Sequence, residues 1–408
     1  MSHFEKKTLT IINETAGSPY HGMVYRNYYI AKELIKQGHR VQIISASFFH
    51  NFSKLPKTTG FFTHEVIDGI DYWWVKVPKY SQSRSFGRLF SMFIFPVMLL
   101  FFPKKKLINP DVIIVSGPPH LSILIGWIWS KLFRSKLIYE VRDIWPLTIQ
   151  KLAGLSKWNP LIVFFSIIEC FAYKVSSRVV SVLAHSYKHF LKKGMNPDKF
   201  AYIPNGVSLE ESNIFESHTS RKLAILKKNK FIIIYAGAIG IANNLDQFVK
   251  TAKLFVEDDR FHFVIVGNGS LKADLMEDSK SLPNISFFDQ VLKNEIPGIL
   301  AQGHIGYLGL KKSDVFSFGI SPNKLFDYMA AKLPVIMAID TDDNIVGKAQ
   351  CGFIIKSCAP EEIKEKILEL YNLGEIRLLE LGQNGRKYLE KYHSYKSLAL
   401  QYNAIFDL

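Results

Sequence analysis

Cysteine is scarce in this chain of 408 residues: there are three, Cys170, Cys351 and Cys358. Their odd number and wide spacing exclude a disulfide framework and a thiolate zinc site, and they fit a reducing cytosol. Apolar runs stay short of the roughly 20 residues that cross a bilayer. The opening MSHFEKKTLTIINETAG has no long apolar core and no small-residue cleavage site, so no secretory signal is expected. A full G-x-G-x-x-G fingerprint is missing, which speaks against a simple dehydrogenase. Zinc-finger and RRM-like patterns are missing too, so nucleic acid is not an expected partner. The acidic groups Asp258-Asp259 and Asp340, Asp342 and Asp343 lack a convergent third ligand and read as solvated loops; no metal is expected. Acids are outnumbered overall, 36 against 51 Lys and Arg, a net charge of +15. Phosphorylated substrates and anionic lipid are the remaining partners for such a charge, alongside a plain Lys-rich surface.

What is present describes a well-cored protein, 48% hydrophobic and 21% charged, long enough for two domains. Residues 89–102, LFSMFIFPVMLLFF, are almost wholly apolar, broken by Pro96, and flanked by Lys79, Arg84 and Arg88 before and Lys104, Lys105 and Lys106 after. Such flanks suit anionic headgroups, so the stretch 84–106 is expected to attach the protein peripherally to a membrane. The runs 121–133 and 161–173 lack this double flank and are expected to be core helices.

Short apolar strands alternate with helical patterns at 8–12, 41–45, 111–115, 136–141, 178–182 and 200–203. The alternation restarts at 231–236, 262–266, 285–288, 304–308, 334–338 and 352–355. Strands separated by helices predict an α/β fold of two doubly wound parallel sheets. Pro204-Asn205-Gly206-Val207, followed by a polar run, places the boundary near 206. The expected domains are 1–206 and 207–385, with a C-terminal helix over about 386–408 packing back on the first. Ligands of such folds bind outside the carboxyl ends of the strands, so functional residues are expected in the loops there.

Residues 317–334, SFGISPNKLFDYMAAKLP, carry the strongest local signal. A helix is expected to open at Ser321 with Pro322 in its first turn, offering amides and a positive dipole end to a pyrophosphate. Asn323 falls in that turn, Lys324 adds a charge to the phosphates, and Asp327 could take ribose hydroxyls. After strand 231–236 come Gly237 and Gly240, then Asn243; after 262–266 come Gly267 and Gly269. Either turn could be a plain βα connection, yet both share one rim with 321–327. In the first half, Gly17, His21 and Gly22 lie between the first strand and helix 24–37. Arg142 and Asp143 follow strand 136–141, where they read as functional groups or as a salt bridge. His120, after strand 111–115, is expected at the same rim as an acid or base.

The hinge PNGV, the loop GNG and the helix PNKLFDYMAA together resemble family 4 glycosyltransferases with the GT-B fold. GSPYHGMVYRNYYIAKELIKQGH and YEVRDIWPLTIQKLAG are similar to the branch that builds bacterial O-antigen and capsule, including N-acetyl-L-fucosamine transferases. The resemblance covers the whole chain. It implies two facing Rossmann-like domains with parallel sheets and a cleft between them, acceptor on the first and nucleotide-sugar donor on the second. It also implies metal-free transfer, with anomeric retention, from a UDP-sugar to a polyprenyl-diphosphate-linked saccharide. The place would be the inner face of the cytoplasmic membrane. The chain departs from the wider family in five places: the family's paired glutamates align with Gly319 and Asp327, its donor-phosphate Arg and Lys near Ala238 and Asn243. Its histidine aligns near Ser116, four residues before His120. A non-catalytic scaffold of polysaccharide assembly and a UDP-sugar 2-epimerase are the rival readings.

Overall fold

The first six strands expected from the sequence form a parallel sheet, and two further strands extend it. In the computed structural model, which describes residues 5–22, 24–80, 86–118, 120–210 and 229–407, the chain divides into two units. One comprises Met1–Pro204 with Leu398–Leu408, the other Asn205–Ser397. The division falls at Pro204, and residues 386–397 lie with the second unit rather than the first.

The first unit contains β1 (Thr8–Ile12), β2 (Arg40–Ala46), β3 (Phe62–Ile67), β4 (Ile70–Val75), β5 (Val112–Ser116), β6 (Lys136–Val141), β7 (Arg178–Ser181) and β8 (Phe200–Tyr202). They lie in the order β3-β4-β2-β1-β5-β6-β7-β8, parallel except for the β3–β4 hairpin. That hairpin was not expected. It turns at Asp68-Gly69, both with positive φ, the geometry an Asp-Gly pair favours. β1 (TLTII) and β5 (VIIVS) are mostly apolar and, apart from half-buried Thr8, buried, as strands covered on both faces are. Helices α1 (Arg26–Lys36), α2 (Phe86–Leu100), α3 (Ser122–Phe133), α4 (Leu147–Ala153), α5 (Pro160–Val175) and α6 (Tyr187–Lys192) accompany this sheet. Arg84 of the expected membrane segment lies outside the described residues.

The second unit has β9 (Phe231–Ala236), β10 (Phe261–Val266), β11 (Ile285–Phe288), β12 (Ile305–Gly309), β13 (Val335–Ala338) and β14 (Gly352–Ile354). They run parallel in the order β11-β10-β9-β12-β13-β14. Among its helices are α7 (Leu245–Lys253), α8 (Lys272–Asp278), α9 (Ile296–Leu300), α10 (Asn323–Ala330), α11 (Ile345–Lys348), α12 (Pro360–Asn372) and α13 (Gly374–Tyr392). The final helix, α14 (Tyr395–Phe406), belongs to the first unit from Leu398 onward. The strand order reverses between β1 and β5 in the first unit and between β9 and β12 in the second. Crevices form at such reversals, and candidate residues of each unit follow these strands, while Arg142 and Asp143 follow β6 and Gly267 follows β10.

Candidate functional site

In the second unit two glycine turns are laced together after β9 and β10. Gly237 N donates to Val266 O at 2.9 Å, Ile239 N to Asn268 O at 2.9 Å, and Leu271 N to Ile239 O at 3.2 Å. A Cβ on Gly267, at φ +150°, would stand 1.9 Å from Gly237 O, and one on Gly269 2.2 Å from Ile239 O. The backbones touch directly, which only glycine allows. The amides of Gly237 and Ile239 are therefore spent on the fold. Those of Ala238 and Gly240 meet no acceptor among the described residues.

Lys324 lies over this turn, its Cε 2.3 Å from where a Gly237 Cβ would be. Its ammonium donates to Tyr235 Oη at 2.7 Å and Asn243 Oδ1 at 2.5 Å. It also sits 4.6 Å from the Tyr235 ring centre. Both partners are neutral, and burial lowers its pKa to about 8. Gly237, Gly240, Asn243, Gly267 and Lys324 are thus one cluster. Asn323, exposed, is the first residue of α10.

One expectation for this segment is corrected. The helix opens at Asn323, not Ser321, with Pro322 extended at φ −77°, ψ 125° before it. A residue preceding proline is pushed out of helical geometry. Ser321 is committed to the start of the unit: Asn205 N donates to its Oγ at 2.9 Å and Asn205 Nδ2 to its carbonyl at 2.8 Å. Asp327 pairs with Lys293 at 2.5 Å, a partner that nothing in the local sequence signals. Asp343, read from sequence as solvated, is buried and accepts from Ile320 N at 3.4 Å. Among the described residues no group of three His, Cys, Asp or Glu could hold a metal ion.

In the first unit the Gly17–Gly22 loop closes on itself and on β4. His21 Nδ1 lies 2.9 Å from Ser18 Oγ, its ring is 4.9 Å from that of Trp74, and its pKa is lowered by burial. Tyr72 Oη donates to Gly17 O at 2.9 Å. Gly22, at φ +102°, has Ser53 N 2.8 Å from its Cβ position. His120 is corrected from a rim group to a core one, 1% exposed. Its Nδ1 meets the Tyr139 hydroxyl, its Nε2 has no partner among the described residues, and burial lowers its pKa to about 4. It is neutral at physiological pH.

Asp143 precedes the turn into α4. It accepts from Thr148 Oγ1 at 2.6 Å and Trp145 Nε1 at 3.2 Å, and burial raises its pKa. Trp145 in turn stands edge-on to His120, ring centres 6.3 Å apart. Arg142, half-buried, precedes it at the end of β6.

Sequence reading missed two groups here. Glu14, two residues after β1, has a buried Oε2 without a partner among the described residues, and burial pushes its pKa up to about 8. Glu140, in β6, pairs with Arg26 at 3.2 Å, both at most 2% exposed. Arg26 also donates to Ile203 O at 2.8 Å and to Pro204 O, while Ser116 Oγ and Tyr402 Oη donate to Glu140. A lone Glu inside an apolar strand was the available signal.

Known families match both units. Residues 20–211 match Glycosyltransferase Family 4 and residues 230–373 match Glycosyl transferases group 1. A protein of Escherichia coli (strain K12) named as a colanic acid biosynthesis glycosyl transferase, WcaI, is 23% identical over 73% of this chain and 74% of its own. Among solved structures, sucrose-phosphate synthase from Thermosynechococcus elongatus superposes with a TM-score of 0.73 at 12% identity, covering 98% of each chain. Anabaena HepE in complex with UDP and glucose gives 0.65 at 12% identity, covering 98% of this chain and 99% of its own. By these matches and its two parallel-sheet units, the chain is a glycosyltransferase of the GT-B type, built from a family 4 domain and a group 1 domain.

Proposed function

We propose that the protein transfers a sugar, of the N-acetylated 6-deoxyhexose class, from a UDP-sugar to a polyprenyl-diphosphate-linked saccharide in O-antigen or capsule biosynthesis. The observation that carries the donor half is the Lys324 cluster at the strand-order reversal of the second unit: a cation held by two neutral oxygens beside glycine turns and a helix start. A diphosphate supplies the anion this ammonium lacks, and their contact strengthens as charge develops on the leaving group. The solved neighbour that holds UDP and glucose supports the nucleotide. The E. coli relative supports the polysaccharide setting.

In this reading Asp327 holds the ribose after exchanging Lys293, and Arg142, Asp143 and the Gly17–Gly22 loop meet sugar and acceptor. Transfer proceeds with anomeric retention and without a metal. The protein works at the inner face of the cytoplasmic membrane, attached through 84–106.

Binding of UDP, GDP, ADP and TDP, followed by thermal shift with and without EDTA, tests the donor. A shift by UDP that survives EDTA is expected. Lys324→Ala is expected to lower both UDP affinity and UDP release from the donor sugar by at least about tenfold, the scale of one charge-assisted contact. Unchanged turnover in that variant sinks the assignment.

A further inference from the structure

Three helices of the first unit are apolar on the side they turn to solvent as well as on the side they bury. On α2, Met92, Phe95 and Leu99 face the core, while Phe90 (57%) and Val97 (46%) are exposed, with Phe101 (72%) just beyond. On α3, Trp129 is buried, yet Ile128 and Leu132 (58%) are exposed; on α5, Phe165 and Ile168 are buried, yet Phe164 and Ile167 (62%) are exposed. A helix lying on a sheet in water carries polar residues on that outer side. The helices also touch: Phe93 of α2 meets Phe164 of α5 with ring centres 6.0 Å apart, and Trp127 of α3 meets Phe171 of α5 at 5.5 Å. The runs 121–133 and 161–173, expected as core helices alone, are thus core on one side only.

The charge around this face has one sign. Lys104, Lys105 and Lys106 follow α2, Lys131 and Arg134 stand at the end of α3, and Lys157 lies 5.4 Å over the exposed ring of Trp158 ahead of α5. Between residues 76 and 197 the sequence has eighteen Lys and Arg against four acids, Asp111, Glu140, Asp143 and Glu169. Nearly the whole net charge of +15 is concentrated there. Two of those acids are buried in pairs, Glu140 with Arg26 and Glu169 with His189 at 2.8 Å, and Asp143 accepts from the Thr148 hydroxyl of α4. None stands on the outward sides of α2, α3 and α5 among the described residues.

We propose that the outward sides of α2, α3 and α5 form a single lipid-seating face that enters the headgroup layer of an anionic bilayer. The inference rests on the membrane reading above and widens it from one segment to three helices. Exposed Phe, Leu and Ile partition into the acyl boundary while the surrounding cations meet lipid phosphates. No described helix is long and apolar enough to cross a membrane, so the geometry is that of lying on the surface. A second copy of the chain fits poorly, because pairing this face with itself would set cation against cation.

Flotation with phosphatidylglycerol-containing vesicles tests the face, with phosphatidylcholine vesicles and high salt as controls. Three variants are compared: Phe90→Ser on α2, Ile128→Ser with Leu132→Ser on α3, and Ile167→Ser on α5. UDP binding and melting temperature report that each remains folded. Each variant is expected to lower partitioning about tenfold, the worth of one or two removed apolar side chains. If only Phe90→Ser lowers it, α2 alone makes the contact; this inference falls and the narrower reading of 84–106 stands. If the unaltered protein ignores anionic vesicles, both fall. If it dimerises without lipid and the α3 and α5 variants are monomers, the face is a subunit interface and the proposal is overturned.

Discussion

Lys324 is the residue on which the donor site turns, and its titration gives a sharp expectation. Burial without an acidic partner lowers its pKa to about 8. A bound diphosphate favours the charged form and raises that pKa, so protonation and binding are linked. UDP affinity should therefore be level below pH 8 and weaken above it, approaching tenfold per pH unit, as the free protein loses the proton. Isothermal titration between pH 7 and pH 9.5 measures this, and Lys324→Met should flatten the profile. Gly267 makes a second case. Any side chain there meets Gly237 O at 1.9 Å, and the clash is with backbone, which cannot swing away. Gly267→Ala should cost about 2–4 kcal/mol, the range of strained core substitutions, read from the denaturant midpoint. It should also weaken UDP binding, because the displaced turn is the one beneath Lys324.

At the scale of elements, the twelve strands expected from apolar runs all appear within a residue or two, because parallel strands inside a sheet announce themselves as short runs rich in apolar residues. The β3–β4 hairpin escaped because Phe62–Ile67 mixes exposed and half-buried positions at an antiparallel edge, although Asp68-Gly69 marked its turn. At the candidate site, the glycine turns and Lys324 were legible as motifs. Their partners were not: Tyr235, Lys293 and Asn205 are 89, 34 and 116 residues from the groups they bind, and local spacing holds no record of such pairings. His120 shows the same limit, since an equal stretch of sequence can end at a rim or under it. The Arg26–Glu140 pair binds α1 to β6 and draws in Ser116 of β5 and Tyr402 of α14. Glu140→Ala would leave the Arg26 guanidinium buried without its counter-charge. It should cost about 3–5 kcal/mol, as breaking one side of a buried pair does. Urea unfolding followed by tryptophan fluorescence checks this, all six tryptophans lying in the first unit.

For the molecule as a whole, the two units are discontinuous in sequence in one respect: the last residues of the chain complete the first unit. Within that unit Tyr402 donates to buried Glu140, Asn403 to Gln37, and the Asp407 carboxylate pairs with Lys7 at 2.7 Å. Lys136 Nζ adds a bond to Asp407 O at 2.8 Å. Tyr402 and Phe406 are each about 1% exposed, so two aromatic side chains leave the core if the segment is removed, at about 2–3 kcal/mol apiece in lost burial alone. A chain ending at Ser397 should therefore lose stability in its first unit, while the Asn205–Ser397 unit, with its own sheet and the whole Lys324 cluster, keeps its contacts. Calorimetry should show one transition displaced to lower temperature and a second near its original place. UDP should still raise the second transition, whereas sugar transfer, which in our reading needs the acceptor loops of the first unit, should fail. If both transitions move down together, the two units unfold as one and the stability of the donor site depends on α14. If neither moves, the contacts of Tyr402 and Asp407 contribute nothing to the fold.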